Sequence, residues 1–139
     1  MDILELIRTA KIGLERKAAQ TETCAPFAAA LYDALAENGV KATLAVACRK
    51  GYRSDRTWYH LVVAHGGRYY DSLGEFSSEI LRKRLKIHPS VQFELEFKRE
   101  PRDGCYEEAD HDALHSFLLH AFRRAVNKMN ALQVPLRVD

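Results

Sequence analysis

The chain has 139 residues, with 21 Lys+Arg against 19 Asp+Glu and a net charge of +2 when the histidines are neutral. That length fits a single domain, residues 1–139, with a real core, and 47% hydrophobic with 29% charged residues excludes a disordered, collagenous or coiled-coil chain. The near balance of charge offers no field for nucleic acid or a membrane surface, and three cysteines behind an N-terminus unlike a signal peptide argue for a cytoplasmic chain without a disulfide framework.

The elements follow in chain order. Asp2 to about Ala19 predicts an amphipathic helix, with Ile3, Leu6, Ile7 and Leu14 toward one face. Gln20 to Thr23 is a polar break. A second helix begins after it, with Thr23 as N-cap and Pro26 tolerated in a first turn whose N–H groups have no helical partner. Phe27, Leu31 and Leu35 form its buried stripe, and Asn38-Gly39 stops it. The period then changes to two. Val40–Cys48 predicts a strand, Arg49–Thr57 a loop and Trp58–His65 a second strand. Gly66-Gly67 signals a two-residue hairpin turn into a third strand, Arg68–Leu73, which Gly74 ends. Glu79–Lys86 predicts a short helix, and Val91–Lys98 alternates as a fourth strand. Asp110 to about Leu132 predicts a long helix with Leu114, Phe117, Leu118, Ala121, Phe122 and Ala125 inward. The expected class is α+β, an antiparallel sheet of about four or more strands with the Cys24 helix packed on it.

Three residues carry the chemistry. Cys24 falls in the first turn of the second helix, where free N–H groups and the helix dipole favour a thiolate, the nucleophilic form. Cys48 ends a strand and Cys105 lies in a polar turn, without that setting. His60 shares a strand face with Val62 and Ala64. With Gly66-Gly67 as the turn, Ala64 pairs with Tyr69 and Val62 with Asp71. Asp71 then lies on the His60 face as a diagonal neighbour, roughly 7–8 Å away at the backbone. A carboxylate there can orient the imidazole and leave its other nitrogen to face a thiolate.

The stretches TCAPFAAALYDAL and WYHLVVAHGGRYYDSLGEF resemble the papain-like superfamily in its broad sense. The nearest branch is the transglutaminase-like group, which includes arylamine acetyltransferases, and the second stretch also resembles small bacterial and phage proteins of the superfamily. In that group a Cys opens a helix, a His follows on a strand and an Asp on the next strand, an order that falls here on Cys24, His60 and Asp71. The likeness covers about residues 20–76. No Gly stands two positions before Cys24 and the His-to-Asp spacing is short, which leaves the reaction class open. The resemblance implies a papain-like core and a thioester acyl-enzyme. It also makes Gln20 a candidate oxyanion donor, and Trp58 and Tyr59 candidates to line a substrate groove.

Other signals are weaker. His111 and His115 share a helix face at metal-ligand spacing, but position 112 is Asp where a zincin has Glu, and no third ligand is evident. The basic clusters Arg49-Lys50, Arg82-Lys83-Arg84 and Arg123-Arg124 are interrupted by acids and read as solvated faces. The expected function is therefore a cofactor-free cysteine hydrolase or acyltransferase (peptidase, amidase, deamidase or transglutaminase-like) acting on a peptide, a protein or a small acyl or amide substrate. The alternatives are a non-catalytic binding or regulatory domain on the same scaffold, and a metal-binding protein using His111 and His115.

Overall fold

The computed structural model describes residues 1–11, 24–50, 58–103 and 109–133. Among them are four helices and a five-stranded antiparallel sheet. The order is α1 (Ile3–Ala10), α2 (Cys24–Glu37), β1 (Thr43–Arg49), β2 (Trp58–His65), β3 (Arg68–Asp71), β4 (Gly74–Phe76), α3 (Ser78–Arg84), β5 (Leu95–Glu100) and α4 (Ala109–Gln133). Across the sheet the strands run β4-β3-β2-β1-β5, with every paired neighbour antiparallel. This is the expected α+β class, and its five antiparallel strands fit the expected four or more.

Alternation along β1 and β2 divides the interior into two cores. Leu44, Val46 and Cys48 of β1, with Leu61 and Val63 of β2, face α1, α2 and α4. There they meet Leu6, Ile7, Phe27, Leu31, Leu35, Leu118 and Phe122, all at 2% exposure or less. Phe27 and Phe122 join α2 to α4 edge to face, with ring centroids 5.5 Å apart. Ala45, Ala47 and Val62 face the other way, onto Phe76, Leu81 of α3, Phe93 and Leu95.

Local chemistry explains the ends of the elements. Asp2 caps α1 by accepting from the Glu5 N–H at 3.1 Å. Helix α1 stops at Ala10 with Lys11 left-handed (φ 49°), short of the expected end at Ala19; Leu14 lies outside the described residues. At the end of α2, Gly39 (φ 77°) donates to the Ala36 carbonyl and Val40 to that of Leu35, a pair of bonds that only a left-handed residue can close. Ser77 caps α3 through Ile80 N–H at 3.1 Å.

Three expectations are corrected. The third strand ends at Asp71, and Gly74–Phe76 returns as a separate strand, pairing Tyr69 with Phe76 and Asp71 with Gly74. Three residues are too few for alternation to register. The last strand runs Leu95–Glu100, two to four residues later than expected, because its partner decides its length: β1 ends at Arg49, opposite Leu95, and Leu44 reaches Glu100. Phe117 is 52% exposed. It sits roughly 100° around α4 from Leu118, whose face carries Ala121, Phe122, Ala125, Val126 and Met129 into the core.

Candidate active site

The hairpin comes first, because it brings His60 and Asp71 together. Gly66 and Gly67 both take positive φ (59° and 78°), the requirement of the type I′ turn that suits the right-handed twist of paired strands. The turn sets Ala64 opposite Tyr69 and Val63 opposite Tyr70, the expected register. At the other end of β2 the ladder with β1 is bulged: Ala47 pairs with His60 and Cys48 with Trp58. A bulge re-aims the residues beside it, and His60 is one of them.

His60 and Asp71 are both buried, at 4% and 1% exposure. Their side chains meet on one face, as the register implies, with His60 Nε2 3.1 Å from Asp71 Oδ2. The Asp71 carboxylate is fully used. Oδ2 also accepts from Arg84 Nη1 at 2.6 Å, and Oδ1 accepts from Leu73 N–H at 3.0 Å and Arg84 Nη2 at 3.4 Å. The Leu73 bond is an Asx turn that pins the carboxylate to the β3–β4 corner. Phe76 closes the other side, edge-on to the imidazole at 5.2 Å between centroids, with the Arg84 guanidinium 5.6 Å from its own centroid.

Cys24 is the first residue of α2 and is 5% exposed. No acidic residue lies in that first turn, so no carboxylate competes for the positive end of the helix. His60 Nδ1 is buried and has no well-formed hydrogen bond to a described residue. The group that acts on the ring besides Asp71 is the Cys24 side chain, as a hydrogen-bond partner and as a charge. Together these put the Cys24 side chain near enough to act on the imidazole that Asp71 holds.

The electrostatics follow from that enclosure. Burial works against a charged imidazole, but the hydrogen bond that His60 gives to Asp71, the polar Cys24 side chain and the charges of both outweigh it, pushing the His60 pKa up to about 9. For Asp71, burial alone would raise the pKa; the bonds and charges of His60 and Arg84 reverse this and hold it below the usual carboxylate value. The site is thus arranged to hold an imidazolium beside Cys24 and an ionised Asp71 behind it.

The structure brings Cys24, His60 and Asp71 together. Gln20 lies outside the described residues, and Trp58 and Tyr59 are placed only by their backbone in β2. Cys48 is fully buried, and burial pushes its thiol pKa up. Cys105 and the His111 side chain lie outside the described residues. His115 bonds Asp33 Oδ2 at 2.7 Å, beside Arg102, which grips the same carboxylate at 2.7 and 2.9 Å. Among the described residues, no group of three or more His, Cys, Asp or Glu side chains is arranged to hold a metal ion. None of the described helices is long and apolar enough to cross a membrane.

Sequence reasoning missed Arg84. The Arg82-Lys83-Arg84 cluster reads as a solvated face, yet Arg84 binds Asp71, and Arg82 bonds the carbonyls of His88 and Phe93, each at 3.1 Å. Thirteen residues and a chain reversal separate Arg84 from Asp71, so no local spacing could have paired them. Compared with models of known protein families, with curated proteins and with solved structures, the chain matches none.

Proposed function

We propose that this protein is a cysteine-dependent hydrolase or acyltransferase with a papain-like, transglutaminase-like core. Cys24 is the nucleophile, His60 the proton carrier and Asp71 the group that orients and charges His60. The observation that carries the proposal is the buried His60–Asp71 pair with the Cys24 side chain acting on the same imidazole. A surface histidine would need no such enclosure, and a core histidine would not need both a carboxylate and a thiol.

In this scheme the Cys24 thiolate attacks an amide or ester carbonyl, forming a C–S bond. The oxyanion develops beside the free N–H groups at the start of α2. His60 gives its Nδ1 proton to the leaving group as the bond to it breaks, and a thioester remains on Cys24. Water or an amine then attacks the thioester. His60 takes up the proton of that nucleophile, the C–S bond breaks, and the thiolate–imidazolium pair returns. The substrate is a peptide, a protein or a small acyl or amide compound. A reducing, cytoplasmic setting suits the two free buried thiols Cys24 and Cys48.

The test is to trap the thioester. Brief incubation with p-nitrophenyl acetate, acid quench and peptide mass mapping should find one acetyl group on Cys24. The label should be absent in Cys24→Ala and strongly reduced in His60→Ala. The burial of Cys24 at 5% exposure favours a second reading, a binding domain that keeps the arrangement for stability alone. Acetylation that ignores His60, or that never reaches Cys24, selects that reading.

A further inference from the structure

The Asp71 carboxylate carries one negative charge and has two cationic claimants. His60 Nε2 and Arg84 Nη1 bind the same oxygen, Oδ2, at 3.1 and 2.6 Å. Arg84 also reaches Oδ1 and lies over Phe76, a ring that also meets His60 edge to face. Its backbone is set by α3, through the Ser77 cap and the burial of Leu81 in the second core. With 24% of its side chain exposed, Arg84 closes the outer side of a site whose other members are almost wholly enclosed. Among the described residues, the groups facing His60 are Asp71 from β3, Cys24 from α2, Phe76 from β4 and, across the carboxylate, Arg84 from α3; its partner on β1 is the uncharged Ala47.

We propose that Arg84 is a positioning residue that shares the Asp71 carboxylate with His60 and thereby sets how tightly His60 holds its proton. The inference rests on His60 as the proton carrier of the cysteine site. A carboxylate given wholly to the imidazole would hold the imidazolium too firmly for it to release its proton to a leaving group. A fixed guanidinium on the same oxygen takes up part of that charge and opposes a second cation nearby. It also keeps Asp71 ionised and oriented when His60 is neutral, so the acceptor is in place when the proton returns. Arg84 touches no substrate in this scheme and acts only through Asp71.

The experiment is an NMR titration of His60 in the full chain, with isotope-labelled histidine, for wild type, Arg84→Met, Arg84→Gln and Arg84→Lys. Loss of the guanidinium charge should raise the His60 midpoint by about one unit in both the Met and the Gln variants. Gln keeps a hydrogen bond to Asp71, which separates charge from contact. The Lys variant keeps the charge, should fold, and should stay within a few tenths of a unit of wild type. An unchanged or lowered midpoint in the Met and Gln variants overturns the inference, and so does a Lys variant that shifts by half a unit or more. The readout needs no turnover. A failed titration with intact Cys24 acetylation removes the role of Arg84 alone, whereas a shifted midpoint without acetylation removes the enzyme and leaves Arg84 in control of the imidazole.

Discussion

Replacing Asp71 by Asn keeps the shape of the side chain and deletes its charge. Asp71 is 1% exposed and satisfies three donors: His60, Arg84 and the Leu73 N–H. Removing one partner from a buried ion pair costs about 3–5 kcal/mol. Arg84 can turn partly to water, so the lower end applies, about 3 kcal/mol at neutral pH. Linkage gives a second figure. The His60 pKa is raised from the ordinary imidazole value of 6.5 to about 9. At 1.36 kcal/mol per unit, that is about 3 kcal/mol of stability tied to the His60 proton. Because the folded value is the higher one, this contribution is complete below pH 6.5 and disappears as the pH climbs through about 9. In Asp71→Asn the imidazole loses the carboxylate, and only the Cys24 side chain is left to oppose burial. Urea denaturation at about pH 6, 7.5 and 9.5 is the assay. Wild type should lose stability across that range, and the variant should start lower and show little of this loss. A variant within about 1 kcal/mol of wild type at neutral pH, or one that retains the full slope, refutes the reasoning.

Other outcomes follow from the same structure. Phe122→Ala removes a ring at 0% exposure from the α2–α4 contact and should cost about 3–5 kcal/mol in denaturant unfolding. Asp33 is held below its usual pKa by the hydrogen bonds of Arg102 and His115, which overcome the opposing effect of burial. Its contribution is present above the unfolded value near 3.8 and is lost as pH falls through the lower folded value. Asp33→Asn should therefore cost about 1–2 kcal/mol at neutral pH and markedly less in acid, measured by urea melts in both conditions. Cys48, fully buried with its thiol pKa raised, should remain unalkylated in native protein under conditions that label Cys24, as shown by peptide mapping.

Much of this arrangement was legible in the chain because it depends on short-range rules. The Gly66-Gly67 turn and strict alternation together put His60 and Asp71 on one face, and the observed pairing of Ala64 with Tyr69 follows from those residues alone. The start of α2 at Cys24 is likewise local, as are the Phe27, Leu31 and Leu35 stripe and the stop at Gly39. What depended on partners was not legible. The limits of β5 are decided by β1, the exposure of Phe117 by which face of α4 the sheet-side core occupies, and the role of Arg84 by the return of α3 over the hairpin. A basic residue at the end of a polar helix looks the same whether water or a buried carboxylate receives it. Nor could the chain order bring Cys24 to His60; that takes the packing of α2 across β2, more than thirty residues away in sequence.

The most direct measurement is the rate of iodoacetamide alkylation at Cys24 as a function of pH, in wild type and in His60→Ala. An imidazolium beside the thiol, maintained up to about pH 9, supplies the positive charge that an activated cysteine needs. Wild type should be alkylated at least about ten-fold faster than the variant near pH 6.5, with the two rates converging above about pH 10. Equal rates for the two proteins across the whole range would show that His60 does nothing for Cys24, and the proposed mechanism would fall.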